Sequence, residues 1–397
     1  MPTTPPLPTA HAAADGGAPH VPALDGLRGL AILLVIPHNV ALVEDATGFA
    51  RLPAAIARAG WVGVELFFVL SGFLITQVLL ATRADPHYFR NFYARRVLRI
   101  VPLYYLVLLL FLYLVPLLQR HPAPGPDFLS TELWFWLFLN NWAQAAGHMI
   151  YWFGPAWSLA VEEQFYLLWP LIVARADPAR LLRICGLLIV LAFLGRCVLL
   201  FVAHAYSGSV YRMTICRMDS LAAGAAVALL VARPGVLGRA RAHAAPLLGA
   251  AFATLAVGAA VSGGYSLDSR VTDTVGYTSI SLAVAAVLLV VLAEPAGWPS
   301  AVARALAWRP LRSAGRYSYA MYLFHFPLAL LIGERVRAGL EPLGQAAAPA
   351  FALIVIALSW ALGAASYYGF ERHFLRLKRY FVPAAAGARA VGGTEAR

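Results

Sequence analysis

Apolar stretches long enough to cross a lipid bilayer recur from one end of this 397-residue chain to the other. Hydrophobic residues make up 61% of the sequence and charged residues only 13%, which is more apolar surface than a water-soluble core could bury. A membrane-spanning helix needs about 20 predominantly apolar residues. We therefore predict an all-α, polytopic membrane protein with about ten spans. They lie at 24–43, 61–81, 97–118, 156–174, 181–203, 217–232, 244–262, 275–293, 315–333 and 350–370.

Arginine and lysine are concentrated in alternate loops of this pattern, and such loops face the cytoplasm. The loops rich in these residues are 82–99, 175–183, 233–241, 304–316 and the segment after residue 371. Both termini are therefore predicted to be cytoplasmic, which requires an even number of crossings. A further apolar stretch at 132–148 would reverse every later loop if it crossed the membrane. Its tryptophans are typical of membrane interfaces, so we predict a re-entrant or interfacial segment there.

The ends of the chain and its charge suggest no further domain. Residues 1–21 contain no lysine or arginine and are rich in proline and alanine, which predicts a disordered cytoplasmic tail rather than a signal peptide. A second tail is predicted at 383–397, with one membrane domain over 22–382. The net charge of +12 fits orientation and contact with anionic lipids, not nucleic acid. The three cysteines have no metal-ligand spacing, so no metal is expected.

Arg28 and His38 are ten residues apart in the first predicted span. Ionisable groups inside a membrane are costly and usually functional. At about 1.5 Å per helical residue, His38 is expected about 15 Å beyond Arg28, near the middle of the bilayer. Imidazole is the side chain best suited to proton transfer near neutral pH. His38 is therefore the first candidate for a general base.

Two adjacent carboxylates, Glu162 and Glu163, interrupt the apolar run Trp157–Pro170. Consecutive helical residues point about 100 degrees apart, whereas Ser158 and Glu162, four residues apart, share one face. This face is predicted to line a polar cavity that binds substrate, with Glu162 taking part in catalysis. The alternative is that both carboxylates only form ion pairs with arginines near the interface.

Other polar residues in the spans have less certain roles. Two roles are equally consistent with Glu65, namely a substrate contact and a structural ion partner. Ser71 and Gly72 fit close helix packing. His325 is a second buried imidazole, assigned either to substrate binding or to structure. Arg217 and Asp219 are expected to form a local charge pair at an outer helix end.

Arg96 and Arg99 lie three residues apart, on one face of the third span at its cytoplasmic entrance. Guanidinium groups suit phosphate, so a donor with several phosphates would find its anchor here. The alternative is that these arginines only fix orientation. Glycine-rich phosphate loops, His-Glu-x-x-His and Gly-x-Ser-x-Gly motifs are all absent from the sequence.

Five motifs in order resemble the membrane-bound acyltransferase-3 family. They are the stretch from Leu24 to Leu30 with the downstream His38, Phe67–Thr76, Arg95–Pro102, Trp157–Tyr166 and Ser318–Pro327. The resemblance spans about residues 22 to 380. It departs from the family at Glu65, where many members have aspartate, and at Glu371-Arg-His373, where proline usually ends the motif.

The resemblance implies ten membrane helices and transfer of an acyl group, usually acetyl, from cytoplasmic acyl-coenzyme A to a hydroxyl of a carbohydrate. It implies an integral protein of the bacterial cytoplasmic membrane. The family's intramembrane Arg and His correspond to Arg28 and His38, its Arg-x-x-Arg to Arg96 and Arg99, and its Ser-x3-Glu to Ser158 and Glu162.

Our mechanistic hypothesis is that His38 deprotonates the acceptor hydroxyl while Glu162 orients the imidazole or binds the sugar. Arg28, Arg96 and Arg99 would hold the coenzyme A phosphates, and Arg28 would also stabilise charge on the thioester oxygen. An acyl-histidine intermediate remains an alternative. An alternative acceptor is a glycosylated natural product such as a macrolide. The alternative functions are a proton-coupled transporter and a non-catalytic scaffold. The sequence leaves acyl length and oligomeric state open.

Overall fold

The computed structural model describes residues 21–41, 46–118, 132–148, 151–267 and 269–382. Within these residues the chain is helical, which confirms the predicted all-α membrane fold. The predicted tails at 1–21 and 383–397 lie, apart from residue 21, outside the described residues. The long helices are α1 (Pro22–Val40), α2 (Val62–Ala81), α3 (Tyr88–Leu109), α4 (Trp157–Arg175), α5 (Pro178–Phe201), α6 (Thr214–Val231), α7 (Ala244–Ser262), α8 (Tyr277–Leu292), α9 (Arg309–Leu340) and α10 (Ala347–Ser366).

In the described part of the chain, 8 helical stretches are long and apolar enough to cross a membrane. The last of these, Arg309–Phe381, contains both α9 and α10. Helix α4 has 19 residues but is less apolar, because it carries the two glutamates and Gln164. Every predicted span therefore overlaps a long helix, while the number of crossings and the side of each terminus remain predictions.

Glycines allow the helices around α1 and α2 to approach closely. A Cβ added at Gly63 would lie 2.4 Å from the carbonyl oxygen of Ala31, and one at Gly72 would lie 1.9 Å from that of Leu221. These distances are shorter than atoms tolerate, so α2 packs directly on the backbones of α1 and α6. The predicted packing role of Gly72 is therefore confirmed. Small residues serve the same purpose in many membrane helix pairs.

The 132–148 segment is broken into two short helices, 132–136 and Asn140–Ala145. Phe138 between them has a φ of 53°, which interrupts the helical path. Within the described residues each piece has at most six residues and extends only about 9 Å, which is too short to cross a bilayer. The hydroxyl of Tyr104 donates to the carbonyl of Phe135 at 3.0 Å and anchors the segment to α3. The segment is therefore not a continuous span, as the sequence predicted.

A buried ionic network joins α2, α5, α6 and α8. Arg217 donates to the Glu65 carboxylate, and both side chains are fully buried. Asp219 pairs instead with Arg196 on α5, with an Nη1 to Oδ2 distance of 2.9 Å. The prediction that Arg217 and Asp219 form a local pair is therefore wrong. The two residues are two positions apart on α6, so their side chains point about 200 degrees apart and meet different neighbouring helices, which the sequence alone did not reveal.

The loop between α4 and α5 is fixed by a capped helix start. The Asp177 carboxylate accepts hydrogen bonds from the backbone N–H groups of Ala179 and Arg180, at 3.0 and 2.9 Å. These bonds favour the charged form and lower the pKa of Asp177. Helix α5 therefore begins at Pro178, and Arg180 and Arg183 lie within its first turns.

Candidate active site

Three arginines from α1 and α3 lie close together. Arg28 interacts electrostatically with Arg96 and Arg99, and its Nη1 lies 3.9 Å from a carboxylate oxygen of Asp25. Arg99 also interacts with Glu371, whose carboxylate accepts a hydrogen bond from Ser366. The structure therefore brings together the predicted phosphate-binding residues. Three guanidinium groups at one place form a surface suited to a polyphosphate.

Glu162 extends this cluster along α4. Its Oε1 accepts a hydrogen bond from the Ser71 hydroxyl at 2.8 Å, and its Oε2 accepts one from Tyr166 at 3.2 Å. The guanidinium carbon of Arg96 lies 4.7 Å from the centre of the Tyr166 ring. Glu163 interacts electrostatically with Arg96 and with Glu162. Ser71, expected only to pack, therefore holds the candidate catalytic carboxylate.

Further along α4, hydrogen bonds continue from Ser158 toward the end of α1. The hydroxyls of Ser158 and Tyr322 lie 2.5 Å apart. His325, on the next turn of α9, bonds through Nδ1 to the Tyr322 carbonyl at 2.7 Å. Its Nε2 lies 3.1 Å from Nδ2 of Asn39, the neighbour of His38. This pattern fits a neutral imidazole that donates from Nδ1 and accepts at Nε2.

His38 lies in the last turn of α1, two residues before the helix ends at Val40. The expected depth of His38, near the middle of the bilayer, stays a prediction. Its Nδ1 lies 3.0 Å from the carbonyl oxygen of Ala57, in the short helix Arg51–Ala59. Nδ1 is thus the donor, and the other nitrogen, Nε2, carries the lone pair. A backbone carbonyl rather than Glu162 orients this ring.

A cavity of about 710 Å³ lies against His38. Helices α1, α4 and α9 supply Asn39, Trp157 and Tyr322 to its walls. The opposite walls come from the stretch at 205–212, which contains the short helix Ser207–Arg212, and from Leu267 and Arg270. They include Tyr206, Tyr211 and Arg212. The cavity and the arginine cluster thus lie about 15 Å apart along α1, at 1.5 Å per residue. The path between them carries Glu162, Ser158 and Tyr322.

The remaining predicted site residues lie away from this cavity. Glu65 is fully buried among Arg217, Ser220 and Ser281 and does not line the cavity. His325 also lies behind the cavity wall, where it holds Asn39 and Tyr322. Within the residues that the structure describes, no group of three or more His, Cys, Asp or Glu side chains could hold a metal ion.

Several site residues were not predicted. Ala57 contributes a carbonyl oxygen, which no side-chain motif could reveal. Tyr166 and Tyr322 lie within quoted motifs, four residues after Glu162 and three before His325, so helical spacing could have found them. Arg212 ends the short helix Ser207–Arg212 and Arg270 begins the helical turn before α8, and no sequence motif marks either residue.

The fold and site define a polytopic membrane protein with separate polar sites at the two ends of its first helix. The family model described as "Acyltransferase domain" matches residues 21–364. The chain therefore belongs to the membrane-bound acyltransferase-3 family, which confirms the resemblance seen in the sequence.

Curated relatives match most of the chain. YrhL of Bacillus subtilis, provisionally named a peptidoglycan O-acetyltransferase, is 31% identical over 79% of this chain and 49% of its own length. The peptidoglycan O-acetyltransferase OatA of Listeria monocytogenes is 28% identical over 79% of this chain and 50% of its own. The O-acetyltransferase OatA of Staphylococcus aureus is 27% identical over 91% of this chain and 58% of its own. The chain spans about half the length of these relatives. No solved structure matches it significantly.

Proposed function

We propose that the protein transfers an acyl group, most simply acetyl, from acyl-coenzyme A to a hydroxyl of a carbohydrate. The observation that carries this proposal is the geometry of His38. Its Nδ1 is tied to the Ala57 carbonyl, and its ring faces a cavity large enough for a sugar. An imidazole held in this tautomer presents Nε2 as a base. The family membership and the relatives' names support O-acyl transfer.

The donor is proposed to bind from the arginine-bearing end. Arg28, Arg96 and Arg99 would pair with the phosphates of coenzyme A, because guanidinium groups bind phosphate through several hydrogen bonds. The extended thiol arm would then follow the polar path past Glu162 and Ser158 toward Tyr322. The positive-inside arrangement of the loops supports entry from the cytoplasm. The cavity would hold the acceptor at the opposite end.

In the direct route, Nε2 of His38 accepts the proton of the acceptor hydroxyl as its oxygen attacks the thioester carbon. The thioester C–S bond then breaks, and the departing sulfur takes the proton from the imidazolium. In the alternative route, Nε2 attacks the thioester carbon first, the C–S bond breaks and coenzyme A departs as the thiolate. The acceptor hydroxyl then attacks the acyl-histidine, the C–N bond breaks to restore the imidazole, and the hydroxyl proton passes to the thiolate. Exchange of label between acetyl-coenzyme A and free coenzyme A without acceptor would distinguish the second route from the first.

A carbohydrate acceptor suits the cavity walls. Trp157 and Tyr211 both line the cavity, with ring centroids 4.6 Å apart, and such rings combine an apolar face with a polar group. Asn39 uses its amide nitrogen to donate to the Val35 carbonyl and to His325. Its Oδ1 is the atom suited to accept from a sugar hydroxyl. Cell-envelope polysaccharide is the favoured source, and a glycosylated natural product is the alternative.

The proposal is tested in membrane vesicles with labelled acetyl-coenzyme A and peptidoglycan fragments or other sugars. We expect His38→Ala to abolish transfer while the protein still inserts and binds donor. His243→Ala, at an exposed histidine in the loop before α7, is the matched control and should transfer normally. Transfer retained by folded His38→Ala protein would remove this histidine from the mechanism.

A further inference from the structure

Two arginines, Arg212 and Arg270, line the cavity on the side opposite the arginine cluster. Arg212 closes the short helix Ser207–Arg212, and Arg270 precedes the π-helical turn that leads into α8. Neither residue belongs to the motifs that define the donor site. Two cations facing the acceptor position require an explanation of their own.

The protein itself leaves the Arg212 guanidinium incompletely bonded. Its Nη1 donates to the Gly208 carbonyl at 2.9 Å, while its Nε is buried without an acceptor. Arg270 donates from Nη1 to the Leu200 carbonyl at 3.0 Å. Among the described residues, no carboxylate lies within ion-pairing distance of either arginine. A buried N–H without an acceptor is costly unless a ligand completes it.

One described carboxylate, Asp273, lies within electrostatic range of this wall but forms no ion pair with it. Asp273 interacts with Arg270 only from beyond ion-pairing distance, and it also interacts with Arg217. Its Oδ1 already accepts a hydrogen bond from the hydroxyl of Tyr277 at 3.0 Å. The cavity therefore keeps a positive wall facing the space in front of His38.

Gly208 makes room for this arrangement. A Cβ added there would lie 2.1 Å from a ring carbon of Tyr206 and 2.7 Å from Nη1 of Arg212. Only a residue without a side chain lets both groups occupy their positions. The local backbone thus places one guanidinium and one aromatic ring against the cavity.

We propose that this cavity selects an anionic carbohydrate, whose carboxylate or phosphate is bound by Arg212 with support from Arg270. The inference rests on the proposed function, since it names the class of acceptor brought to His38. Guanidinium groups bind either anion through charge-assisted hydrogen bonds. Trp157 and Tyr211 would contact the sugar ring, so that the anion fixes orientation and the aromatic groups provide contact area.

The test measures binding to the purified full chain in lipid nanodiscs by calorimetry. The probes are methyl glucuronide, its uncharged amide and methyl glucoside 6-phosphate. We expect both anionic probes to bind more tightly than the amide. Arg212→Gln should lower the affinity for the anionic probes by about 10- to 100-fold, because one charge-assisted contact is lost. The affinity for the amide should stay the same. Tighter binding of the phosphate probe than of the glucuronide also supports the proposal, and it identifies the anionic group as a phosphate.

Two further variants control this result. Gly208→Ala keeps both charges but displaces the flexible ends of Tyr206 and Arg212. It should therefore lower the affinity for the anionic probes by a smaller factor than Arg212→Gln does. Arg51→Gln, at the exposed arginine that begins the short helix Arg51–Ala59, should change nothing. Equal affinity for the amide and the glucuronide in the wild type, or no binding of any probe, would overturn the proposal. So would equal weakening of all probes by Arg212→Gln.

This outcome is separable from that of the proposed function. Binding of the sugars is measured without donor, whereas transfer is judged by the loss of labelled product in His38→Ala. Selective anion binding without any acyl transfer would overturn the function but leave the selective cavity in place. Equal acyl transfer to neutral and anionic sugars would support the proposed function but overturn the selectivity of the cavity.

Discussion

The side-chain nitrogens of Asn39 and His325 lie 3.1 Å apart although 286 residues separate them in the sequence. This contact joins the end of α1 to the middle of α9, directly beside His38. Because His325 also bonds to the Tyr322 carbonyl, it fixes two residues of the cavity wall at once. Its position indicates that His325 orients the site rather than touching a substrate.

Replacing His325 should therefore affect catalysis through Asn39. We expect His325→Ala to lower kcat by about tenfold, the effect of one lost hydrogen bond of about 1.4 kcal/mol, with the KM for acetyl-coenzyme A unchanged. His325→Gln should recover part of the rate, because its amide oxygen can accept from Asn39. Steady-state transfer assays on folded protein measure both constants. If His325→Ala instead raises the KM for the acceptor at constant kcat, His325 contacts the substrate.

A substitution of Glu65 tests whether this carboxylate stabilises the fold or binds substrate. Glu65→Gln removes the charge that compensates Arg217 inside the protein, and breaking a buried ion pair costs about 3–5 kcal/mol. We expect a clear drop in the thermal unfolding temperature, while the folded fraction keeps its KM for the acceptor. Glu334→Gln, at an exposed glutamate of α9, is the control and should unfold like the wild type.

A double variant checks the cause. Replacing Glu65 and Arg217 together by methionine removes both charges and should restore much of the lost stability, because apolar side chains pack well in place of such pairs. A large change in acceptor KM with normal stability in Glu65→Gln would return Glu65 to the substrate site.

The sequence predicted the helices better than the contacts between them. Apolar length determines where a membrane helix can form, so α1 to α10 overlap the predicted spans, and the broken 132–148 segment followed from loop charge. The partners of Glu65 and Arg217 depend instead on which helices become neighbours, and no local pattern encodes that. The same limit explains Ala57, whose contribution is a backbone carbonyl. Arg96 and Arg99 were predicted to lie together from their three-residue spacing on one helix face, whereas Arg28 joined them only through the resemblance to a known family.

The arginine cluster should govern donor affinity. We expect Arg96→Ala and Arg99→Ala each to raise the KM for acetyl-coenzyme A by about 10- to 100-fold, because each removes charge-assisted bonds to phosphate. Arg183→Ala, at an exposed arginine near the start of α5, should leave this KM unchanged. Donor binding is measured directly with labelled acetyl-coenzyme A. Unaltered affinity in correctly inserted Arg96→Ala and Arg99→Ala proteins would make these arginines determinants of topology only.

Substitutions of Gly72 in α2 and Gly186 in α5 distinguish the effect of close helix packing from the effect of helix propensity. Gly72→Ala would place a Cβ 1.9 Å from the Leu221 carbonyl oxygen, so α2 and α6 must move apart and the site held by Ser71 must shift with them. We expect a lower unfolding temperature and weaker transfer. Gly186→Ala in α5 meets no atom within 4 Å and should be neutral or stabilise the helix by up to about 1 kcal/mol. Equal effects of the two substitutions would show that α2 and α6 do not pack this closely.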